Sequence, residues 1–197
     1  MGSIINKYSV ACLCLLIAAC SSTARRDQPR EYLDQQTAAT VTVVDQPLVF
    51  ARERPEFAAN VRDYVTLAAA AVNRSGKVSY VLLAYFWSTV DARGAAGASV
   101  ADKNPIIAAD DRRILLKMHE RSARDAGIGA PLHAPPGMNA TPIVFTTDLA
   151  TLRFIASARQ LSVRAGSDVA ENAYEPWSDQ RSALLAFVNR MKPHERN

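Results

Sequence analysis

The sequence predicts an α+β fold, a mainly antiparallel sheet with two C-terminal helices in a single domain. Three observations support this prediction. Short β-branched and apolar segments separated by turn residues dominate the chain up to Thr147, a tight turn joins the two longest of them, and helical periodicity begins only after Thr147. The chain has 197 residues, which is enough for one ordinary domain with a packed core.

The first two strands are predicted on either side of Pro47. Residues 37–44 (TAATVTVV) are β-branched and nearly alternate between polar and apolar, which favours a strand. Leu48–Ala51 is a second short apolar run, and the charged, proline-containing residues 52–56 end it.

A long hairpin is predicted next. Residues 63–73 and 77–90 flank a short connection that contains Gly76, which can supply the positive φ that tight hairpins need. The second of these segments is apolar at both odd and even positions, so we expect it to be covered on both faces. It is therefore placed at the centre of the sheet.

The second half of the chain predicts further short strands. Residues 113–119 (RILLKMH) favour a strand, although Asp110-Asp111 before them and Gly127 after them would also suit the ends of a helix. Residues 142–145, after a proline-rich loop, and residues 161–164 are also interpreted as strands.

Two amphipathic helices complete the prediction. The first starts at Thr147-Asp148, and the second takes Ser178 as its candidate cap and ends near Pro193. The apolar faces consist of Leu149, Leu152, Ile155 and Ala156 in the first helix, and of Leu184, Phe187, Val188 and Met191 in the second.

The N-terminus has the pattern of an export signal. Lys7 precedes the apolar run Val10–Ala19, which is too short to cross a bilayer of about 30 Å as a helix. The run ends in Ile17-Ala18-Ala19-Cys20, followed by Ser21-Ser22-Thr23, and this closely resembles the lipobox of bacterial lipoproteins. The resemblance implies that the chain is cleaved before Cys20 and that Cys20 carries three acyl chains, enough for stable membrane anchoring.

The resemblance also implies a location and a layout. Ser21 stands where an Asp would mark retention at the inner membrane, so we expect an outer-membrane anchor facing the periplasm. Residues 1–19 are then a lipoprotein signal peptide, residues 20–30 a lipidated cysteine and flexible tether, and residues 31–197 a single periplasmic domain. Ten residues of tether reach at most about 35 Å, so the domain would work near the membrane.

The lipoprotein interpretation leaves no thiol in the mature domain. Cys12 and Cys14 would leave with the signal peptide and Cys20 would be lipidated, which excludes a disulfide, a Cys-ligated zinc site and a cysteine nucleophile. The formal charge would fall from +4 to +3, because Lys7 is the only charged residue removed. A charge this small gives no reason to expect nucleic-acid binding.

A second resemblance concerns the mature chain. Residues 31–34, 37–42, 47–53 and 87–89 are similar to a group of uncharacterised proteobacterial lipoproteins, and the similarity covers residues 31 to 91 best. This group implies localisation and a single domain. It implies no activity.

Catalytic and metal-binding patterns are not evident in the sequence. His119 and Asp110 could form a hydrolase site with a serine, but no serine stands in a strand-turn-helix elbow. The sequence also has no His-x-x-x-His pair, no calcium loop and no phosphate-binding glycine loop. We therefore predict no catalytic residues, no metal and no cofactor.

The function predicted from sequence is a non-catalytic interaction or accessory protein of the cell envelope. Its partners would be the membrane, through Cys20, and another envelope protein. The alternative is a small-molecule or lipid-binding module, and an envelope hydrolase is the less favoured third reading. Tyr85 and Trp87, in the aromatic run Tyr85-Phe86-Trp87, are the candidate ligand or partner surface, although a core position fits this run better.

Overall fold

The computed structural model describes residues 27–90, 105–119, 122–135, 141–165 and 173–191. The predicted signal peptide, Cys20 and the second-helix terminus at Pro193 lie outside the described residues. The predicted fold class is confirmed, because antiparallel strands are the main secondary structure of the described residues and two helices lie in the last third of the chain, within a single domain. None of the described helices is long and apolar enough to cross a membrane.

Eleven strands and two helices are present in the described residues. The strands are β1 (Arg30–Asp34), β2 (Ala39–Val43), β3 (Leu48–Glu53), β4 (Arg62–Arg74), β5 (Lys77–Ser88), β6 (Ile106–Ala109), β7 (Arg112–Leu115), β8 (Lys117–Met118), β9 (Ile143–Thr147), β10 (Leu161–Arg164) and β11 (Ala173–Ser178). The helices are α1 (Leu149–Ser157) and α2 (Arg181–Arg190).

The sheet is organised around the long strand β4. The strand order of the sheet is β7-β6-β10-β11-β3-β4-β5-β9-β8. β2 also pairs with β4, and β1 pairs with the outer edge of β2. β3 pairs with Arg62–Leu67 and β2 with Ala70–Asn73, so these two strands lie end to end along one edge of β4. β5 occupies the whole of the other edge.

The predicted hairpin is confirmed as β4 and β5. Arg74 pairs with Lys77 across a two-residue turn in which Ser75 (φ 51°) and Gly76 (φ 84°) both have positive φ. The Gly76 amide donates to the side chain of Asn73 at 2.9 Å. Residues 81–86 of β5 are buried throughout, as expected for a strand covered on both faces.

Residues 122–135, which we call the strap, are fastened to the N-terminal strands. The carboxylate of Asp34, at the end of β1, accepts from the Gly129 amide at 2.7 Å. The hydroxyl of Thr37 donates to the Gly127 carbonyl at 2.8 Å. Asp34 also accepts from the Gln36 and Thr37 amides, and although burial raises its pKa, these hydrogen bonds lower it below its usual value overall.

Two further features show how closely the strap packs against β4 and against Val44. Gly127 has φ 103°, and a Cβ placed on it would lie 2.4 Å from Cγ1 of Val72 in β4. Only glycine fits this position, both sterically and in backbone conformation. At the other end of the strap, the Nε2 atom of His133 lies 2.7 Å from the Val44 carbonyl.

Both predicted helices are present, but their caps differ from the prediction. Thr147 ends β9, and Asp148 is the N-cap of α1, where its carboxylate accepts from the Thr151 amide at 2.7 Å. Ser178 is not the cap of α2, because it is the last residue of β11. Gln180 takes the cap position and makes no side-chain cap hydrogen bond.

The strand prediction for 113–119 is confirmed over its helical alternative by β7 and β8. Asp110 and Asp111 form the turn between β6 and β7, since Ala109 pairs with Arg112. Three strands were not predicted, namely β1, β6 and β11. β1 begins at Arg30, the last residue that the sequence assigns to the tether.

Candidate functional site

The two residues singled out from sequence, Tyr85 and Trp87, lie in different surroundings. They are two positions apart on β5 and so face the same side of the sheet. Tyr85 is completely buried, whereas Trp87 is half-buried at the end of the strand. Tyr85 therefore belongs to the core, and of the two only Trp87 can contribute to an exposed surface.

Trp87 is the inner member of an aromatic cluster. It pairs with Tyr64 across β4 and β5, and the two rings stack with centroids 4.0 Å apart and planes at 10°. The indole Nε1 donates to the hydroxyl of Thr66 at 3.1 Å, which fixes the orientation of the ring. Trp177 of β11 meets Tyr64 edge-on, with centroids 5.9 Å apart and planes at 83°.

A β-bulge brings Trp177 to the surface. Pro176 pairs with Phe50 and Ser178 with Val49, so Trp177 is the extra residue between two consecutive positions of β3. Its side chain is 57% exposed. A bulge also tolerates Pro176, which cannot donate to the strand ladder.

Arg62 completes this surface. Its guanidinium carbon lies 4.9 Å from the centre of the Trp177 ring, and its Nη2 lies 3.0 Å from a carboxylate oxygen of Glu53, the residue paired with it on β3. We call Tyr64, Trp87, Trp177 and Arg62 the aromatic surface. Its one cation is already paired, so it has no free charge for an ionic ligand.

The opposite face of the same sheet end carries a buried carboxylate. Asp63 is 6% exposed, and one of its carboxylate oxygens lies 2.9 Å from Nη2 of Arg52 and 2.5 Å from Nη1 of Arg54. Burial alone would raise its pKa, but hydrogen bonds from Arg54, Arg52 and Ser88 outweigh it and hold the pKa below its usual value. Arg54 also pairs with Glu56.

Both arginines beside Asp63 also contact aromatic rings. The guanidinium carbon of Arg52 lies 5.2 Å from the centre of the Tyr174 ring, and that of Arg54 lies 4.6 Å from Phe57. Burial raises the pKa of Tyr174, so its hydroxyl stays protonated at neutral pH. Because Arg52 and Arg54 both pair with Asp63, this cluster stabilises the sheet end behind the aromatic surface.

Asp110, the carboxylate of the hypothetical hydrolase site, has a structural role in the β6–β7 turn. Its carboxylate oxygen accepts from the amides of Arg159 and Gln160, each at 2.9 Å, and its own φ is 50°. His119 follows β8, and its amide donates to the Val144 carbonyl at 2.7 Å. Across the described ranges, no three His, Cys, Asp or Glu side chains converge as a metal site would require.

The sequence did not single out Arg62, Tyr64 or Trp177. Their proximity depends on β11 pairing with β3, and Pro176 argues against a strand there. The sequence could have indicated one of these residues. A turn at residues 75–76 sets the hairpin register, and this register places Tyr64 opposite Trp87.

Comparison with known proteins gives no further guide to this surface. No protein-family model, no curated protein and no solved structure matches the chain. The chemistry therefore has to be argued from the residues themselves. Trp, Tyr and Arg are the residue types that contribute most binding energy at protein interfaces.

Proposed function

We propose that the protein is a non-catalytic interaction or accessory lipoprotein of the cell envelope, anchored through Cys20 to the periplasmic face of the outer membrane. The observation that carries the proposal is the aromatic surface, with Trp177 exposed on a bulge beside Arg62 and Tyr64. Its partner is another envelope protein. The lipobox resemblance of residues 17–20 supports the anchor.

The aromatic surface suits a protein partner because it is already ordered. Tyr64 is held by stacking on Trp87, and Trp87 is held by its hydrogen bond to Thr66. Binding at the aromatic surface would therefore cost little side-chain entropy at Tyr64 and Trp87. A rigid aromatic anchor next to a paired arginine is typical of the centre of a protein interface.

The position of β1 limits where the partner can be. β1 begins at Arg30, ten residues after Cys20, so the domain would start within about 35 Å of an anchor on that cysteine. The partner is therefore expected to lie at the membrane or just beneath it.

Photo-crosslinking in living cells tests the proposal. A photoreactive amino acid at position 177 is compared with one at position 115, because Leu115 is also apolar and also 57% exposed but lies on the edge strand β7. We expect a discrete protein adduct from position 177 and not from position 115. Equal adducts from both positions, or none from position 177, would contradict a partner on the aromatic surface.

Quantitative co-purification tests the role of the anchor. The tagged protein is isolated from gently solubilised envelopes alongside its Cys20→Ala and Trp177→Ala variants. A near-stoichiometric partner should be retained by the wild type and lost from both variants. A partner that survives both substitutions would place its binding site elsewhere and would remove the need for anchoring.

A further inference from the structure

The connection between β3 and β4 forms an exposed loop at one end of the sheet. The Arg54 amide donates to the Val61 carbonyl at 2.9 Å, so the pairing of the two strands continues as far as these residues. Residues 55–60 (PEFAAN), which lie beyond them, are all exposed. We call residues 55–60 the tip loop.

Two consecutive turns fix the backbone of the tip loop. The Phe57 amide donates to the Arg54 carbonyl, and the Val61 amide donates to the Ala58 carbonyl, each at 3.1 Å. The Phe57 side chain is 62% exposed, and the guanidinium carbon of Arg54 lies 4.6 Å from the centre of its ring. The loop therefore presents an aromatic ring to the surroundings from an ordered backbone.

A second exposed apolar side chain lies at the same end of the sheet. Val90 is 62% exposed, and the amide of Thr89 before it donates to the carbonyl of Arg62, the first residue of β4, at 3.0 Å. The tip loop leads into β4 at the same place, so Phe57 and Val90 belong to one end of the molecule. Exposed apolar groups gathered in this way indicate a surface that contacts an apolar environment.

The charges beside the tip loop cancel. Residues 52–63 contain three arginines and three acidic residues. Each of the acids is paired with an arginine, in the pairs Glu53–Arg62, Glu56–Arg54, Asp63–Arg52 and Asp63–Arg54. This stretch therefore has no excess charge with which to attract anionic lipids or a charged protein surface.

The chain approaches β1 from the same end of the sheet. Arg30 pairs with Val43, which pairs with Ala70, and from this level β1 and β4 run in the same direction, away from Arg62. Ala70 lies eight positions from Arg62, which is about 27 Å along the strand. A ten-residue tether reaches at most about 35 Å, so it is long enough to place Cys20 beside the tip loop.

We propose that the tip loop docks on the phospholipid bilayer that holds the lipidated Cys20, with the Phe57 ring inserted between the headgroups and the first part of the acyl chains. The inference rests on the proposed anchor and gives the domain a second contact with the same membrane. Arg54 can keep its guanidinium at the level of the headgroups while the ring beside it inserts.

Docking in this orientation is compatible with a protein partner on the aromatic surface. Trp177 lies opposite Phe50, which pairs with Val65, three positions along β4 from Arg62. Trp177 would then stand about 10 Å above the docked end of the sheet. The membrane contact therefore leaves Trp177 accessible and holds it where another envelope protein can reach it.

Depth measurements with spin labels test the proposal on the lipoprotein purified from envelopes and reconstituted into phosphatidylcholine vesicles. A nitroxide is attached at Ala58→Cys, beside Phe57, or at Val78→Cys, the control. Val78 is also exposed and apolar but lies next to the turn at the opposite end of β5. A third form carries the label at position 58 together with Phe57→Ser, and the intact mass of each form reports whether Cys20 is acylated.

We expect the label at position 58 to be accessible to oxygen and shielded from a water-soluble nickel chelate, and the label at position 78 to be in water. Phe57→Ser should lower the ratio of docked to undocked protein about tenfold, because the inserted ring is lost. This variant should nevertheless stay in the vesicles through its acyl chains. Adding phosphatidylglycerol or salt should not change the depth at position 58, because the contact is apolar.

Other outcomes would overturn the proposal. Equal exposure of positions 58 and 78 to the nickel chelate would show that the tip loop does not dock. A label that stays immersed in the Phe57→Ser form would show that Phe57 is not the docking group. Insertion that requires phosphatidylglycerol and disappears in high salt would show an electrostatic contact. A mass without acyl chains on Cys20 would overturn the proposed anchor itself, which the depth measurements do not address.

Discussion

The ring of Tyr64 stacks on the ring of Trp87, with centroids 4.0 Å apart and planes at 10°. The two residues are directly paired across β4 and β5, so the hairpin register itself places one ring on the other. Thr66, two residues after Tyr64 on β4, accepts the hydrogen bond from the Trp87 indole, and this bond fixes the orientation of the lower ring of the stack. The exposed Trp177 rests on this stack through its edge contact with Tyr64.

The Trp87–Thr66 hydrogen bond should contribute measurably to stability. Trp87→Phe keeps an aromatic ring but loses the donor, and Thr66→Val removes the acceptor, so each should lower the free energy of unfolding by about 1 kcal/mol. The double variant should lose less than the sum of the two, with a coupling energy of about 1 kcal/mol in urea unfolding. Additive losses would mean that the bond contributes nothing.

Asp63 should make the protein sensitive to acid. Its pKa is lowered in the folded state, so its stabilising effect is complete above its unfolded-state value, near pH 4, and is lost as pH falls through its folded value. Asp63→Asn should lower the free energy of unfolding at pH 7 by about 3 kcal/mol, because Arg52 and Arg54 lose their counter-charge.

Urea unfolding at pH 7 and at pH 3 measures this effect. The difference between wild type and Asp63→Asn should shrink at the lower pH, because the unfolded wild-type chain takes up the Asp63 proton below about pH 4 and the folded chain resists doing so. The control is Asp111→Asn, in the exposed β6–β7 turn, which should change stability by less than about 0.5 kcal/mol at pH 7. A difference that stays constant with pH would contradict the role assigned to the Asp63 charge.

Gly127 and Gly76 form a matched pair for testing how closely the strap packs. Both have positive φ, but a Cβ on Gly127 would lie 2.4 Å from Val72, whereas a Cβ on Gly76 would meet nothing within 4 Å. Gly76→Ala should cost about 1 kcal/mol, from backbone conformation alone. Gly127→Ala should cost about 3 kcal/mol, because overpacking adds to the same conformational cost.

Thermal or urea unfolding of both glycine variants gives the comparison. Adding Val72→Ala to Gly127→Ala should recover part of the loss, since it removes the clash and leaves the strained φ. Equal costs for the two glycines would show that the strap can move away from β4.

The stability that His133 contributes by fastening the strap should decrease in mildly acidic solution. Burial lowers its pKa below 6.5, and the Val44 carbonyl only partly offsets this. As pH falls, His133 therefore takes up a proton in the unfolded chain before it does so in the folded one. The stability contributed by the neutral His133 side chain is complete above about pH 6.5 and declines as pH falls below it. The urea midpoint should fall between pH 7 and pH 5 in the wild type and fall less in His133→Gln. An NMR titration of His133 with a midpoint at or above 6.5 would contradict this.

The elements that sequence predicts well are those fixed by local chemistry. The turn at Ser75-Gly76 determines the pairing of β4 with β5, and residues 81–86 are apolar at every position because both faces are covered. Asp148 and the apolar spacing that follows it similarly predict α1. In each case the sequence pattern and the element that it predicts lie within about a dozen residues of each other.

Two of the missed strands, β1 and β11, are set by their pairing partners and not by a sequence pattern of their own. β1 reads REYLD and β11 reads AYEPWS, and neither shows the apolar alternation of a strand. β1 is a strand because it forms a hairpin with the neighbouring β2. β11 is a strand because the distant β3 offers it an unpaired edge, which only the assembled sheet reveals. The residues of the candidate site differ in the same way. Trp87 could be chosen because it lies in the predicted hairpin, whereas Trp177 comes near it only because β11 pairs with β3.

The pairing of β11 with β3 has a consequence for the order in which the chain can complete its fold. The edge of β3 that faces away from β4 is covered by residues 173–178, which are synthesised about 120 residues after β3 ends at Glu53. Until then, a growing or C-terminally truncated chain presents an open strand edge, the kind of surface at which incomplete chains pair with one another. The last quarter of the chain thus protects the first.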